Sequence, residues 1–270
     1  MISIICVYNN QKSFENNLLA GLKKQDAVFE LIPVNNTNQK FHSAARALNW
    51  GAGKAKGKYL IFAHQDVVLE DKSWLRQVEK ILDNLPDLGI AGVAGLDLKN
   101  QRVGFLNDSG RPWGKRFSQP QKAQTLDECL LVIPAKVFKM MPFDEKNFDH
   151  WHCYGVDYCL SAAELGLAVD VLPALIHHNS PGRNLVNLFE YQKRIWQKHR
   201  QNYQYICTTC GFLSCSTVGL KARFPKSKLV DFYWRVAGIS PIGQLYQNLA
   251  KRAFQAAIRK TKQLTMSKEQ

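Results

Sequence analysis

The sequence predicts an α/β fold in which a mainly parallel central sheet is flanked by helices and followed by a basic helical C-terminal extension. Over the first hundred residues, short apolar runs alternate with segments of helical periodicity, which is typical of βαβ units. The composition turns basic near residue 216. With 270 residues and 46% hydrophobic content, the chain is long enough for one main domain and a small appendage. We therefore expect a domain over residues 1–215 and a tail over residues 216–270.

The predicted strands are short apolar runs bounded by polar or turn-forming residues. They are expected at residues 2–7, 28–34, 58–63, 89–94, 129–133 and 168–172, with a further apolar strand ending at His177 and His178. Residues 99–124 are rich in Gly, Pro, Arg and Lys and predict a hairpin with loops. In sheets of this kind ligands bind at the carboxyl ends of the strands, so we expect the binding edge at residues 8–10, 35–36 and 64–66.

The predicted helices show apolar residues at intervals of three and four. They are expected at residues 12–24, 42–55, 73–85, 156–165 and 185–199. A short helix is expected to begin at Pro134, because proline fits the first turn of a helix.

The composition also indicates a compartment. No apolar run approaches the roughly 20 residues of a membrane-spanning helix, and the N-terminus has no basic leader, so we expect a cytoplasmic protein. The seven cysteines favour reduced thiols over a disulfide framework, because their number is odd and several lie in apolar runs. Zinc binding by Cys207, Cys210 and Cys215, near His199 in the sequence, is weakly indicated, because a single CxxC pair lacks a second pair.

Three polar residues, His64, Gln65 and Asp66, directly follow the third predicted strand. Asp66 offers a hard oxygen to a divalent cation, and His64 offers a nitrogen that Mn²⁺ accepts more readily than Mg²⁺ does. The pattern therefore predicts an open metal site. The alternative is that Asp66 caps a turn and His64 is an ordinary loop residue.

Two further places carry candidate site residues. Asp157 opens a predicted helix, where the helix dipole favours a negative charge, so it is either a site residue or simply an N-terminal helix residue. One histidine of the pair His177 and His178 can complete a metal site, unless both are ordinary loop residues.

The order of these motifs resembles the family 2 glycosyltransferases. A strand end with His-Gln-Asp is followed by Phe143-Asp144-Glu145-Lys146-Asn147-Phe148, by Val156-Asp157-Tyr158-Cys159-Leu160, by Gly166 and by a strand ending in histidine. The likeness covers about residues 1–200 and is greatest to the branch with His-Gln-Asp where most relatives carry Asp-x-Asp. It implies a GT-A fold, a nucleotide-sugar donor and a divalent cation, Mn²⁺ or Mg²⁺, that bridges the donor diphosphate.

The resemblance also implies roles for individual residues. The implied metal ligands are Asp66 with His64 beside it, and His178, with His177 as the runner-up. The implied donor contacts come from the loops after the strands and from one helix. They are Val7, Tyr8 and Asn9 at the base, Asn35 where relatives usually carry an aspartate, and Arg46 and Asn49 at the nucleotide or diphosphate. Gln65 of the triplet is a further candidate donor contact, and charge makes Arg183 a candidate to neutralise the leaving diphosphate.

One part of the family pattern is missing. Most relatives carry a Glu-Asp or Asp-Asp pair, which supplies the general base, at the positions of Tyr154 and Gly155. Only Asp157 keeps a carboxylate in this motif, so we expect Asp157 to deprotonate the acceptor hydroxyl in an inverting transfer. The alternatives are His152 as the base, with Asp157 supporting the site, or a retaining reaction.

The sequence thus predicts a glycosyltransferase that moves a sugar from a nucleotide-sugar donor to a saccharide or lipid-linked acceptor, as in bacterial surface-polysaccharide assembly. A GT-A-like nucleotidyltransferase is disfavoured, because no Gly-rich phosphate loop occurs near Asn9. The other alternative is a nucleic-acid-binding module driven by the basic tail, although the tail has no zinc-finger or RNA-recognition motif. The donor sugar, the nucleotide base, the acceptor and the oligomeric state are not specified by the sequence.

The tail combines strong positive charge with an apolar stripe. Residues 216–270 carry eleven basic and two acidic residues, and the whole chain has a net charge of +14. Residues 242–264 place apolar side chains at helical spacing, with Lys251, Arg252, Arg259 and Lys260 largely off that stripe. A basic amphipathic helix of this kind lies in the interface of an anionic membrane, unless its stripe packs on the first domain or on a second subunit.

We predict that the tail attaches the protein to anionic lipid. The full chain should co-sediment with liposomes that contain anionic lipid, because each Lys or Arg near such a surface contributes about 1 kcal/mol. A chain truncated before Ser216 should stay in the supernatant, and high salt should release the full chain by screening the charges. Equal sedimentation of the two chains, or binding that resists salt, would contradict the prediction.

Overall fold

The centre of the fold is a seven-stranded sheet, seen in a computed structural model that describes residues 1–180 and 187–215. In their order across the sheet, the strands are β2 (Phe29–Asn35), β1 (Ile2–Tyr8), β3 (Tyr59–Ala63), β11 (Leu130–Pro134), β5 (Leu88–Gly92), β12 (Ala168–Val171) and β9 (Gln121–Lys122). Five strands run in one direction, whereas β11 and β9 run against them. The predicted α/β fold is confirmed, and the sheet is mixed because β11 enters it antiparallel between β3 and β5.

A second sheet carries the remaining strands of the region that precedes residue 181. Its strands are β10 (Thr125–Leu126), β6 (Ala94–Leu96), β7 (Arg102–Asp108), β13 (His177–His178) and β4 (Val67–Val68), with β8 (Arg111–Gly114) paired to β7. The hairpin predicted within residues 99–124 is formed by β7 and β8. Its turn residues Ser109 and Gly110 both have positive φ, 50° and 82°, as a two-residue hairpin turn requires. A separate hairpin consists of β14 (Tyr205–Thr208) and β15 (Gly211–Ser214).

The helices form where apolar residues recur on one side. They are α1 (Gln11–Phe14), continued by a π-helical stretch (Glu15–Leu19) and α2 (Ala20–Leu22), then α3 (Ala44–Ala52), α4 (Trp74–Leu82), α5 (Ala135–Met140), α6 (Tyr154–Glu164) and α7 (Leu188–His199). The side chains of Asn10 and Ser43 cap α1 and α3 by accepting backbone N–H groups of the first turn. Within the described residues, no helix has the length and apolar character needed to cross a membrane.

The core lies on both faces of the central strands. Every residue of β3, β5 and β11 is buried, which explains why these strands are continuous apolar runs rather than alternating ones. Helix α3 packs very closely on the sheet at Gly51, where a Cβ atom would lie 2.6 Å from Cγ2 of Ile5. The described residues up to Cys215 form one compact unit. The tail from Ser216 lies outside the described residues, so the domain boundary stays a prediction.

One predicted strand is much shorter than expected. The apolar run that ends at His177 and His178 is not a continuous strand, because only these two histidines pair with neighbours. Pro173 interrupts the run, and proline has no N–H to donate to a strand ladder. The pairing that remains is specific: His178 lies opposite Val67 of β4 and beside Asp108 of β7.

Charged side chains connect α7 to α6. The buried Asp157 in α6 has Oδ1 2.8 Å from Nε2 of His199, and its Oδ2 accepts a hydrogen bond of 2.9 Å from Lys198. His199 also contacts Glu164 at 2.7 Å, and Lys198 also donates to Asp144 at 2.9 Å. Because each of these groups meets an opposite partner, the cluster holds two helices together.

We predict that Asp157→Asn lowers the free energy of unfolding by about 1.5–3 kcal/mol, the usual contribution of hydrogen bonds to charged groups. The change removes the negative charge that pairs with Lys198 and His199 while keeping the shape of the side chain. Urea denaturation measures it. The control is Glu190→Gln, which removes an exposed i,i+4 pair with Arg194 and should cost less than about 0.5 kcal/mol. Equal midpoints for Asp157→Asn and the parent would contradict a structural role.

Candidate active site

Three potential metal ligands meet where β3 ends. One ligand atom from each of His64, Asp66 and His178 lies within 4.8 Å of the other two. The first two residues follow β3 directly, whereas the third arrives through the pairing of β13 with β4. The backbone N–H of Asn179 then donates to the carbonyl of Asp66 at 2.9 Å, which fixes the two segments together. The three residues predicted as the metal site therefore lie in one place.

The carboxylate of Asp66 is suited to a cation. Its residue is 8% exposed, and its Oδ1 has no hydrogen-bond donor among the described residues. Nε2 of His178 lies 3.4 Å from this oxygen. Burial acts to raise the pKa of Asp66, but the hydrogen-bonding contact with His178 and the electrostatic influence of the nearby imidazoles outweigh it and lower that pKa. The carboxyl group is thus held ionised.

The two histidines differ in their electrostatics. Burial acts to lower the pKa of His178, but Asp66 outweighs it and raises that pKa. Desolvation by the surrounding protein, and then the charge of His178, lower the pKa of His64, although the residue is exposed at the pocket. His64 is therefore held in the neutral form that binds metals, whereas a metal must displace a proton from His178.

The alternative ligand His177 points to another partner. Its Nε2 lies 3.1 Å from Oε2 of Glu70, and it is not part of the three-residue cluster. Successive residues of a strand point to opposite faces, which explains why only one of the two histidines reaches Asp66. Among the described residues no other group of three His, Cys, Asp or Glu side chains converges in this way, so Cys207, Cys210 and Cys215 form no such site.

Two residues that the sequence did not indicate contact the segment of His178 and Asn179. Oδ1 of Asp108 in β7 lies 3.4 Å from Nδ1 of His178, so the ring directs Nε2 towards Asp66. Asn17, in the π-helical stretch, accepts a hydrogen bond of 2.8 Å from the side chain of Asn179. Stretches of π-helix often occur at functional sites. Neither contact is visible in local sequence patterns, because each joins segments far apart in the chain.

A pocket opens beside the three ligands. Its lining combines the ends of β1 and β3 with side chains from α3 and from the start of α6, namely Val7, Asn9, Ala44, Leu48, Phe62, Ala63, His64, Gln65, Asp66, Trp151 and Tyr154. Cys153 has a left-handed backbone, φ 65°, which a non-glycine residue adopts at a cost of about 1 kcal/mol or more. This reversal lies between Trp151 and Tyr154, and both side chains reach the pocket.

The middle residue of the triplet, Gln65, connects two loops. Its Oε1 accepts the backbone N–H groups of Asn9 and Asn10, each at 3.0 Å. Its Nε2 donates to Oδ1 of Asn9 at 2.9 Å. The side chain therefore fixes the loop after β1 against the loop after β3, which a carboxylate at this position would do less completely because it cannot donate.

Other predicted donor contacts have different surroundings. Tyr8 is buried and stacks on Phe14 with ring centroids 4.6 Å apart. Asn35 accepts two hydrogen bonds from Thr37 in a local turn. The amide of Asn49 is engaged by the backbone of Phe143 and by the carboxylate of Glu145.

None of these three residues, nor the exposed Arg46, lines the pocket formed by the described residues, and Arg183 lies outside them. Their assignment to the donor stays a prediction.

The predicted general bases lie on different sides of the start of α6. Asp157 points into the charged cluster with Lys198 and His199, where both of its oxygens are engaged. This geometry favours a structural role, because a base must reach the acceptor hydroxyl. His152 lies between the pocket-lining residues Trp151 and Tyr154, and its ring stacks on His150. Both assignments stay predictions.

The architecture is that of the GT-A glycosyltransferases. The mannosyltransferase PcManGT from Pyrobaculum calidifontis, solved with GDP-Man and Mn²⁺, matches with a TM-score of 0.55 and 13% identity over 75% of this chain and 64% of that one. S. aureus TarS, solved with UDP-GlcNAc, matches at 0.51 and 16% identity over 74% of this chain and 66% of that one. GalNAc-T7, solved with UDP, GalNAc and Mn²⁺, matches at 0.51 and 13% identity over 73% and 47%.

The chain thus spans less than two thirds of these structures, and the likeness concerns the fold.

The sequence itself identifies the family. Residues 3–208 match the model of the glycosyltransferase-like family, and the chain belongs to that family. A protein of Fuscovulum blasticum named "ATP synthase subunits region ORF 6" is 28% identical over 217 residues, which are 74% of this chain and 84% of that protein. Family membership and fold together make the residues around Asp66 the candidate active site.

We predict that Gln65→Ala speeds amide hydrogen exchange at Asn9 and Asn10 by about 5-fold, because each loses a hydrogen bond of about 1 kcal/mol and this free energy corresponds to that factor in protection. Exchange measured by NMR tests this. Gln77→Ala is the matched control, since Gln77 lies on α4 and contacts Asp71 and Ser73 instead. Unchanged exchange at both asparagines would show that Gln65 does not hold the loop.

Proposed function

We propose that this protein is a metal-dependent glycosyltransferase that moves a sugar from a nucleotide-sugar donor to a saccharide or lipid-linked acceptor. The observation that carries the proposal is the buried Asp66 carboxylate, whose Oδ1 finds no hydrogen-bond donor in the part of the chain that the structure describes. Such a charge is costly unless a cation pairs with it. His64 and His178 lie close enough to Asp66 to bind the same cation. Membership of the glycosyltransferase-like family supports a nucleotide-sugar substrate.

The ligand set fits a divalent transition metal. One carboxylate oxygen and two imidazole nitrogens suit Mn²⁺ better than Mg²⁺, which prefers oxygen ligands and retains its waters. Three protein ligands also leave positions for oxygens of a diphosphate. The mannosyltransferase and GalNAc-T7 were both solved with Mn²⁺, which supports the same metal here. When bound, the cation supplies positive charge against the negative charge that develops on the leaving diphosphate.

The surrounding residues suit the two other parts of a donor. Val7 and Asn9 line the pocket at the end of β1, where an open α/β sheet binds a nucleotide. Trp151 is 37% exposed at the pocket and offers an aromatic face against which a sugar ring can pack. We propose that the nucleotide contacts the β1 loop, that the diphosphate contacts the metal ligands, and that the sugar lies near Trp151 and Tyr154.

We also propose that His-Gln-Asp takes the place that Asp-x-Asp has in most relatives. Gln65 occupies the middle position, where Asp-x-Asp needs no metal ligand. Its uncharged amide holds the β1 loop and leaves metal binding to His64 and Asp66. An inverting reaction, a role in bacterial surface-polysaccharide assembly and a cytoplasmic site at the inner face of the membrane are further proposals. They rest on the family resemblance and on the basic tail.

We predict that Asp66→Asn lowers the affinity for GDP or UDP in the presence of Mn²⁺ by about 10²-fold or more, because the metal loses its charged ligand. Isothermal titration calorimetry with each nucleotide measures this. The melting temperature should fall slightly, since the change removes the attraction between the ionised Asp66 and His178.

Asp87→Asn is the control, because the exposed Asp87 precedes β5 at the opposite edge of the sheet. An Asp66→Asn variant that binds as the parent does, or a parent that binds neither nucleotide with Mn²⁺, would contradict the proposed function.

A further inference from the structure

A glutamate that no assignment above uses lies at the start of α6. Glu128 is in the loop between β10 and β11, and its Oε1 accepts a hydrogen bond of 2.7 Å from the backbone N–H of Gly155. The N–H groups of Cys153 and Val156 also act on its carboxyl group. Glu128 is only partly buried, so its side chain lies between the protein interior and a surface.

The side chains of Leu131 and Glu128 fill the space beside Gly155. A Cβ atom on Gly155 would lie 2.8 Å from Cδ1 of Leu131, 2.9 Å from Cγ of Glu128 and 3.3 Å from Oε1 of Glu128. Glu128 and Leu131 together therefore occupy the volume into which a side chain at position 155 would project. The family resemblance places an acidic residue at positions 154 and 155, so an acid from a different segment stands where this chain carries none.

Both segments of this contact adjoin the pocket, although Glu128 itself is not one of the lining residues. Tyr154, directly before Gly155, lines the pocket. Cys129, directly after Glu128, accepts a hydrogen bond of 2.9 Å from the backbone N–H of His64, which is itself a lining residue. Glu128 is thus bound on one side to the start of α6 and on the other to the end of β3, the two elements between which the pocket opens.

We propose that Glu128 is the general base of the transfer reaction, an inference that rests on the proposed function. The acceptor oxygen forms a bond to the anomeric carbon while the bond from that carbon to the diphosphate oxygen breaks. The nucleoside diphosphate leaves with the electron pair of the broken bond. The acceptor proton passes to a carboxylate oxygen of Glu128, and it is released to solvent before the next cycle.

The surroundings of Glu128 suit proton exchange near neutral pH. Burial raises the pKa of Glu128 to about 8, the N–H groups at the start of α6 oppose this shift, and the negative charge of Asp127 adds to it. The other titratable groups close to it are Cys153, Tyr154 and Cys159 of α6, and burial raises the pKa of each, so they stay neutral. A base with a pKa near the working pH both accepts and releases a proton readily.

Asp157 makes a contrasting pair with Glu128. Both oxygens of Asp157 are engaged by Lys198 and His199, whereas Glu128 meets backbone N–H groups and no cation among the described residues. An acid whose two oxygens are both engaged by other side chains has no free oxygen to offer to an acceptor hydroxyl. The geometry therefore favours Glu128 over Asp157.

The test is release of nucleoside diphosphate from GDP-mannose and from UDP-GlcNAc with Mn²⁺, with water as the acceptor hydroxyl. Glu128→Gln keeps an oxygen for the N–H of Gly155 but cannot take a proton. We expect kcat to fall by about 10²- to 10⁴-fold, while the affinity for GDP or UDP with Mn²⁺ stays that of the parent. Glu190→Gln, on the exposed side of α7, should leave both quantities unchanged.

The pH profile separates a catalytic role from a structural one. In the parent, kcat/KM should rise about tenfold per pH unit below the pKa of Glu128 and level off above it, because only the ionised form accepts a proton. Glu128→Gln should lose this rise, and Glu128→Asp should keep it at reduced kcat. If Glu128→Gln does not fold, the test rests on Glu128→Asp. A kcat/KM profile of Glu128→Asp that does not rise with pH would overturn the proposal.

Parent-like turnover in Glu128→Gln, or an equal loss of nucleotide affinity and turnover, also overturns the proposal. Failure of the proposed function is seen separately, as a parent that binds neither nucleotide.

Discussion

The position of β3 is the constraint on which the rest of the site depends. All five of its residues are buried, and it is hydrogen-bonded to β1 on one side and to β11 on the other. The end of this strand cannot shift without breaking both ladders. Three further segments attach to that end: the β1 loop through Gln65, the β13 segment through Asn179, and the loop before β11 through Cys129. Side chains placed on such a strand end are held in position by the sheet itself.

The edge that carries the candidate active site keeps features that do not favour stability. Asp66 is a buried carboxylate with an oxygen that no described donor satisfies, and Cys153 holds a left-handed backbone beside the pocket. Elsewhere in the described chain the charges are better matched, as between α6 and α7. Local departures of this kind concentrate where a ligand supplies the missing partner, because the surrounding fold has enough stability to tolerate them.

Two carboxylates, Asp66 and Asp157, show how surroundings decide the role of an identical side chain. Asp157 is buried and meets both Lys198 and His199 at hydrogen-bond distance, so its charge is used to join two helices. Asp66 is buried to a similar degree, but its nearest partner, His178, lies 3.4 Å away, and a pocket lies beside it. Both oxygens of Asp157 are engaged by neighbouring side chains, whereas Oδ1 of Asp66 has no described hydrogen-bond donor and can bind a cation. Partner distance and access, rather than residue type, distinguish the surroundings of these two acids.

The sequence by itself determined the α/β alternation, most of the strands and helices, and the presence of His64, Gln65 and Asp66 after a buried strand, because these follow from local periodicity and from the end of an apolar run. The local pattern indicated two histidines and the family resemblance put His178 first, but the physical reason for that order is the register between β13 and β4. The sequence also drew attention to Asp157 and not to Glu128, because a motif shows which residues are neighbours in the chain and not which volume a side chain fills. Tertiary structure alone decided that an acid from the β10–β11 loop lies beside Gly155 and that Gln65 joins two loops. Such contacts join residues far apart in sequence, and they exist only after the sheet and its covering helices have packed.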